Sequence, residues 1–246
     1  MMITLNEAPW AALLADAVDL ALGRACALCD IPGRAVCLTC LEDLRCIPAP
    51  LMLSPLSGQQ PGSSGAATGV LPPGRYAVPY RGDASTLILD YKERGNRALA
   101  AGLGLLLADA VDALVEVDLG RDTEHPVILV PIPGRPRSKR GFAALPRILR
   151  PAVRSLTDAG HEVCVVPLLR QAQHHGPLKG MGRSERRRAV PGSMVAVLPS
   201  RLPRGHVVIV DDVVTTGTTM LEAIRALRVG GLTVAGVAAI AHSEHP

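Results

Sequence analysis

The stretch with the most obvious chemistry is HVVIVDDVVTTGTTM, residues 206–220. Four apolar residues precede two adjacent carboxylates, Asp211 and Asp212, and a turn of small residues then leads into a predicted helix. Such a helix start offers free backbone N–H groups and the positive end of the helix dipole to an anion. We therefore expect a phosphate in the turn and a polyol or metal ion at the aspartates. The turn residues are Thr215, Thr216, Gly217, Thr218 and Thr219.

A simpler interpretation makes Thr216 a helix cap and leaves the two aspartates as solvated loop residues. The position after a VVIV strand favours binding instead, because α/β folds bind ligands at the carboxyl ends of their strands. The stretch has neither the Gly-Lys-Ser/Thr of a Walker loop nor the glycine spacing of a dinucleotide-binding turn. A phosphate-bearing ligand of another class is therefore expected.

A second set of reactive residues consists of two Cys-x-x-Cys pairs separated by seven residues. The four residues are Cys26, Cys29, Cys37 and Cys40. Four thiolates satisfy the tetrahedral coordination of Zn²⁺. Two redox dithiols or a coincidence are the alternatives, but two pairs so close in a segment too small for its own core favour structural zinc. Cys46 and Cys164 lie outside the pattern.

Basic residues form the third group, and they cluster in predicted loops. One loop directly follows the strand VILVP, and its cations are candidates for diphosphate contact together with Lys92: Arg135, Arg137, Lys139 and Arg140. A second cluster lies in a long Gly/Arg-rich stretch and is a candidate for a lid or for DNA binding: Arg183, Arg186, Arg187 and Arg188. For both clusters the alternative is a merely solvated surface.

The composition limits the function classes. The chain has 246 residues, a formal charge of +4, 48% hydrophobic and 20% charged residues, which is typical of a folded soluble protein. Aromatic residues are 2% of the chain, so base stacking is excluded as the main mode of nucleic-acid binding. The longest nearly apolar run, residues 98–108, is shorter than the ~20 residues of a membrane-spanning helix. The N-terminus has no basic signal-peptide region, and we expect a cytoplasmic protein without membrane insertion.

The elements that must position these residues follow from periodicity and turn composition. Residues 1–47 hold a predicted helix, residues 6–22, and the cysteine segment; residues 48–74 are a Pro/Gly/Ser-rich linker, and residues 75–246 form the main domain. In that domain apolar strands alternate with helices, which predicts an α/β fold with a mostly parallel sheet flanked by helices. Strands are predicted at Arg75–Pro79, Val127–Pro131, Glu162–Leu169, His206–Val210 and Leu232–Ile240. Helices are predicted at Asp83–Asp112 with a break near Gly95, Phe142–Ala159 and Thr218–Val229.

The strand, acid pair and Thr/Gly turn resemble the 5-phosphoribosyl-1-diphosphate (PRPP) motif of the type I phosphoribosyltransferases. The resemblance implies that Asp211 and Asp212 hold the ribose hydroxyls and that Thr215 to Thr219 hold the 5′-phosphate, with Mg²⁺ on the diphosphate. The resemblance extends over nearly the whole chain through four further segments: the four cysteines, TLILDYKERG, LVPIPGRPRSKRGF and SERRR. The chain thus resembles the ComF-type competence proteins, which join a four-cysteine zinc module to a phosphoribosyltransferase-like domain.

This resemblance leaves three functions open: an active phosphoribosyltransferase, a PRPP-binding protein that handles single-stranded DNA in competence or recombination with competence or helicase proteins, and a PRPP sensor without catalysis. Fold alone does not choose among them. Thr215 stands where purine-salvage relatives often carry an acid, which lowers the expectation of purine salvage. Ala143, Ala189 and the GPLKGMG stretch depart from the family pattern and weaken any inference about the second substrate.

Overall fold

The computed structural model of the protein describes residues 24–53, 70–120, 125–134, 144–172 and 192–243. The predicted helix over residues 6–22 lies outside these ranges. The described strands are β1 (Ala49–Pro50), β2 (Gly74–Pro79), β3 (Val127–Pro131), β4 (Val163–Val165), β5 (Leu169–Gln171), β6 (Met194–Ala196), β7 (His206–Val214) and β8 (Gly236–His242).

The described helices are α1 (Leu38–Leu44), α2 (Gly82–Leu89), α3 (Ala100–Ala113), α4 (Ala144–Asp158) and α5 (Thr218–Val229). The helix α2 continues as a π-helical turn, Asp90–Arg94, which ends at Gly95 with φ at 74°. A 3₁₀ turn, Arg97–Leu99, then leads into α3, and α3 continues as a second π-helical turn, Leu114–Leu119. The predicted break near Gly95 is therefore present.

A six-stranded sheet forms the centre of the fold, with strand order β1-β2-β8-β7-β3-β4. All neighbouring strands run parallel except β1 and β2. Side chains of β7 alternate between two cores: Val208 and Val210 pack with α3 and α4, while Val207 and Ile209 pack with α5. A strand that is buried on both faces requires the continuous apolar run seen in the sequence. The predicted α/β fold with a mostly parallel, helix-flanked sheet is confirmed.

Three predicted strand boundaries were wrong. The strand predicted at Leu232–Ile240 begins four residues later, as β8 at Gly236, and continues to His242. The strand β7 runs through Asp211 and Asp212 to Val214, because β8 is long enough to pair with it: Asp211 lies opposite Ala239 and Val214 opposite His242. The single strand predicted over residues 162–169 is two strands, β4 and β5, in different sheets. The chain bends between them, where Leu168 N–H donates to the carbonyl of Val166 at 2.9 Å.

The cysteine segment packs directly on α3. Cys26, Val36 and Leu41 are buried in the same core as this helix. A Cβ atom on Gly102 would lie 2.6 Å from Val36 Cγ1, so the glycine permits the close approach. On the surface, Arg45 donates two hydrogen bonds to Asp109, at 2.8 and 2.6 Å. The predicted linker begins with residues of the sheet, since β1 pairs with β2; the division into domains at residues 48–74 stays a prediction.

One described helical segment, Arg97–Leu119, is long and apolar enough to cross a membrane, with 23 residues. The expectation that no apolar stretch has sufficient length was therefore wrong. Within its most apolar window, 61% of the segment is buried inside the protein. The burial of this segment explains its apolar composition, because it packs as the central helix on one face of the sheet.

Candidate functional site

The paired carboxylates lie at the carboxyl end of the parallel sheet, where they meet a lysine from a distant part of the chain. Lys92 Nζ is 2.5 Å from Asp212 Oδ1, and both side chains are largely buried, with 15% and 16% exposed. The π-helical turn after α2 carries Lys92 to this position. The sequence placed Lys92 among the diphosphate candidates, and the structure brings it to the acid pair across 120 residues of chain.

The carboxyl group of Asp211 has a raised pKa. Part of the residue reaches the surface, but protein atoms surround its carboxyl group, and its pKa is raised to about 8, chiefly by burial. The neighbouring Asp212 contributes to the rise, while the Asp212 backbone N–H, 2.8 Å from Asp211 Oδ1, and Lys92 oppose it. A carboxyl group with such a pKa holds its proton in neutral solution and becomes a stronger acceptor when a bound ligand supplies positive charge or donors.

The Thr/Gly turn leads from β7 directly into α5. Gly217 adopts φ of 71°, a left-handed conformation that favours glycine, and a Cβ there would lie 2.8 Å from Leu53 Cδ2. Thr216 and Thr218 share a hydrogen bond between their hydroxyl oxygens at 2.9 Å. Thr215, Thr216 and Thr219 are exposed. The turn therefore offers hydroxyl groups and a helix N-terminus to solvent, immediately beside the acid pair.

The end of β3 forms the neighbouring wall. Pro131 lies opposite Val210, and Ile132 N–H donates to the carbonyl of Val210 at 3.0 Å, one residue before Asp211. The last described residue before the basic loop is Gly134. The four diphosphate candidates in that loop, Arg135, Arg137, Lys139 and Arg140, lie outside the described residues.

The described residues that flank the Arg-rich segment lie beside the end of β3. The strands β5 and β6 pair with each other, with Gln171 opposite Met194, so the chain leaves and returns at one point around residues 173–191. Gln171 Nε2 donates to the carbonyl of Pro133 at 3.2 Å, which ties this hairpin to the end of β3. The residues Arg183, Arg186, Arg187 and Arg188 lie outside the described residues; only their attachment points are placed.

An ion pair on α5, between the buried Glu222 and the partly exposed Arg225, holds the β5–β6 strand pair. Glu222 is 5% exposed and accepts the Met194 N–H at 2.9 Å, while Arg225 donates to the Met194 carbonyl at 3.0 Å. Arg225 also donates twice to Glu222, at 2.7 and 2.8 Å. Both backbone groups of Met194 are thus bound to the helix that begins at the Thr/Gly turn.

Three further residues near the acid pair were missed by sequence analysis. Tyr91 is fully buried, and its hydroxyl donates to the carbonyl of Ala144 at 2.7 Å. Burial raises its pKa to about 12, with electrostatic contributions from Arg147, Asp212 and Arg97. Arg97 and Arg147 therefore add positive charge around this edge of the sheet. Neither belongs to a basic cluster in the sequence, so no sequence pattern marked them.

The four predicted metal-ligating cysteines come together in space. Their sulfur atoms all lie within 4.8 Å of one another, and Cys29 Sγ is 3.7 Å from Cys37 Sγ. Tetrahedral zinc with Zn–S bonds of about 2.3 Å requires sulfur atoms roughly 3.8 Å apart. Backbone N–H groups point at the sulfurs, Cys37 to Cys26 and Cys40 to Cys37, each at 3.4 Å. This donor set fits a zinc ion.

Protonation of the cluster agrees with a cation site. Burial opposes ionisation of Cys26, but backbone N–H groups, led by that of Cys37, lower its pKa to about 6. Hydrogen bonds with the side chains of Cys37 and Cys29 raise the pKa of Cys40. A bound divalent cation would favour the thiolate form of its sulfur ligands and release their protons.

A comparison with models of known protein families finds a match in the C-terminal part of the chain. A family model described as the phosphoribosyl transferase domain matches residues 147–245. Residues 147–245 are therefore similar to a phosphoribosyl transferase domain. The match contains β7, the Thr/Gly turn and α5, whereas Lys92 and the four cysteines lie before it.

Among solved structures, the orotate phosphoribosyltransferase from Aeropyrum pernix is similar to this chain with 23% sequence identity and a TM-score of 0.31. The alignment covers 68% of this chain and 68% of that one. A search of the curated proteins finds no match.

Proposed function

We propose that the protein is a PRPP-binding, phosphoribosyltransferase-like protein of the ComF type, which acts in DNA uptake, competence or recombination by handling single-stranded DNA. The observation that carries the PRPP part is the acid pair on β7 followed at once by the Thr/Gly turn at the start of α5, inside the matched phosphoribosyltransferase domain. Acids, hydroxyls and a helix N-terminus at one edge of a parallel sheet suit a sugar that carries phosphate.

Each part of PRPP has a counterpart in this arrangement. Asp211 and Asp212 accept hydrogen bonds from the ribose hydroxyls, and the turn from Thr215 to Thr219 receives the 5′-phosphate. The diphosphate lies towards Lys92 and the basic loop that follows Gly134. Since Lys92 is paired with Asp212 in the free protein, ligand binding exchanges one negative partner of Lys92 for another.

Mg²⁺ is the expected companion of PRPP, and it neutralises the charge of the diphosphate when bound. The residues present fit it, because carboxylate oxygens are hard donors and those of Asp211 and Asp212 lie at the edge where the diphosphate is placed. Zn²⁺ belongs to the other end of the chain, where Cys26, Cys29, Cys37 and Cys40 hold it as a structural ion.

The DNA part of the proposal is supported by where the basic segments attach. The hydrogen bond from Gln171 to Pro133 places the base of the Arg-rich segment beside the start of the basic loop. The described residues that flank both basic segments therefore lie near the acid-pair edge, to which Arg97 and Arg147 add charge. Clustered cations with few aromatic residues favour contact with the phosphate backbone over base stacking.

Charge reversal tests the DNA part. Changing Arg186, Arg187 and Arg188 to glutamate is expected to weaken single-stranded DNA binding and flatten its salt dependence, while PRPP affinity stays within about twofold. The matched control reverses Arg201 and Arg204, exposed residues before the amino end of β7. Fluorescence anisotropy at several salt concentrations gives both numbers. Equal loss in both variants would show a non-specific charge effect.

The second candidate is an active phosphoribosyltransferase that acts on an unidentified nitrogenous acceptor, which the match to a transferase domain favours. In that reaction the acceptor nitrogen attacks C1 of PRPP, the C1–O bond to the diphosphate breaks, and the nitrogen releases its proton. Pyrophosphate release, screened with purines, orotate and single-stranded DNA, separates the candidates. Efficient transfer to a free base, with no DNA affinity at low salt, would replace the DNA proposal by salvage.

A further inference from the structure

A histidine and two carboxylates converge at the opposite edge of the sheet from the PRPP site. His161 lies between α4 and β4, two residues before that strand begins. Its Nε2 atom is 2.6 Å from Asp112 Oδ1 and 3.9 Å from Glu116 Oε1. Neither the four cysteines nor the acid pair takes part in this cluster, and the proposed function does not use it.

The backbone fixes all three residues. Asp112 and Glu116 stand four residues apart along α3 and its π-helical extension, so they share one helix face. The His161 backbone N–H donates to the carbonyl of Leu156 at 3.0 Å, and the Val127 N–H donates to the carbonyl of Glu162 at 2.7 Å. The turn that carries the histidine is therefore tied to α4 on one side and to β3 on the other.

The three donor atoms are arranged as ligands of one ion. All lie within 4.8 Å of one another. With zinc bonds of about 2.0–2.2 Å to nitrogen and oxygen, tetrahedral ligand atoms stand roughly 3.3 Å apart, so shifts of about an ångström in two side chains complete the site. The imidazole side chain is 6% exposed, whereas those of Asp112 and Glu116 are 46% and 36% exposed. The two carboxylates thus face solvent, from which a water molecule would supply the fourth ligand, while the imidazole binds from the protein side.

We propose that Asp112, Glu116 and His161 bind a divalent transition-metal ion of the zinc type. One imidazole with two carboxylates is a donor set for such ions, while Mg²⁺ prefers oxygen ligands alone. The alternative is a plain hydrogen-bonded ion pair between His161 and Asp112. The ion would join the end of α3 to the turn before β4, which makes it a structural connection at the amino ends of the strands.

Metal counting with buffered Zn²⁺ tests the proposal on the full-length protein. After equilibration with Mg²⁺ in excess and without PRPP, wild-type protein is expected to hold one zinc ion more than His161→Gln. The matched control, His125→Gln, removes an exposed histidine near the same edge of the sheet and is expected to keep the wild-type count. Because the result is a difference, it does not depend on how many ions the four cysteines bind.

A second measurement does not depend on the folding of a variant. Cobalt added to wild-type protein is expected to give two visible spectra: one with thiolate charge-transfer bands from the cysteine cluster and one without them, from nitrogen and oxygen ligands. His161→Gln, checked by circular dichroism, should lose only the second. Equal zinc counts in wild type and His161→Gln, or a wild-type cobalt spectrum with thiolate-bound metal alone, would overturn the proposal in favour of the ion pair.

Discussion

The cysteine cluster and the acid-pair edge of the sheet are built in opposite ways. The four sulfurs come from a span of fifteen residues and lie within 4.8 Å of one another through local turns and one short helix. The acid-pair edge joins Lys92, the end of β3 and the β7–α5 turn, which are separated by up to 120 residues. The first is set by neighbours in sequence, and the second exists only when the whole sheet has formed.

This difference determines how each region responds to the substitution of its residues. A local cluster that lacks a core of its own depends on its ligand for stability. A site assembled from distant elements depends on the folded sheet for its geometry. Its residues can lower the stability of the fold, as the carboxyl group of Asp211 does through its burial. Four predictions follow this contrast: the first three run from the largest effect to the smallest, and the fourth concerns the pH dependence of stability.

Removing the metal ligands should have the largest effect on folding. The double change of Cys26 and Cys40 to serine is expected to eliminate zinc and to unfold residues 24–47, because structural zinc contributes on the order of 10 kcal/mol to such modules. Elemental analysis and thermal unfolding measure the two effects. Cys46→Ser is the matched control, since its thiol lies outside the cluster and donates to the carbonyl of Ala77. Wild-type protein that contains no zinc after purification without chelators would contradict the assignment.

Removing the acid pair should have the largest effect on ligand binding while the fold persists. Asp211→Asn with Asp212→Asn is expected to weaken PRPP binding by about two to three orders of magnitude, since an amide replaces each carboxyl group and neither side chain can then meet the ribose hydroxyls as a carboxylate. Calorimetry measures the affinity, and an unchanged zinc content and circular dichroism spectrum show that the fold is intact. Wild-type affinity in the double variant would remove the PRPP assignment.

Loss of the lysine should have a smaller effect on ligand binding. Lys92→Gln is expected to lower PRPP affinity about tenfold, because one charge-assisted contact to the diphosphate disappears. Arg94→Gln is the control: this side chain is on the same π-helical turn but 80% exposed. If both variants lose the same factor, the effect comes from general charge and not from the position of Lys92 at Asp212.

The fourth prediction concerns the pH dependence of stability. Asp211 has a pKa of about 8 in the folded protein and 3.8 as a model value, so between these values the unfolded state binds fewer protons and stability falls as the pH rises. Asp211→Asn removes this loss. The variant should therefore gain stability relative to wild type from pH 4 to pH 8, as measured by chemical denaturation without added metal. Parallel pH curves for the two proteins would show that the carboxyl group is ionised in the folded state.

Much of this contrast could be predicted from the sequence. The cysteine spacing predicted that the four sulfurs come together, which the structure shows, because that pattern is local. The apolar strand, acid pair and Thr/Gly turn predicted a ligand site around Asp211, which stays a prediction. The end of β7 was placed too early, since only β8 determines how far the pairing continues. Arg97 and Arg147, and the convergence of His161 with α3, had no local signal, because helix packing against the sheet brings them into place.

Glu222 and Arg225 bind both backbone groups of Met194, so α5 connects the Thr/Gly turn to the β5–β6 strand pair. Glu222 is the fifth residue of the helix, so this connection lies about 6 Å along the axis from the Thr/Gly turn, given a rise of 1.5 Å per residue. A helix segment of little more than one turn is stiff over that distance. An anion bound at the first residues of α5 would therefore contact the same rigid segment that holds the β5–β6 strand pair. Glu222 and Arg225 connect that strand pair to the helix, so the position of β5–β6 is coupled to that of the start of α5.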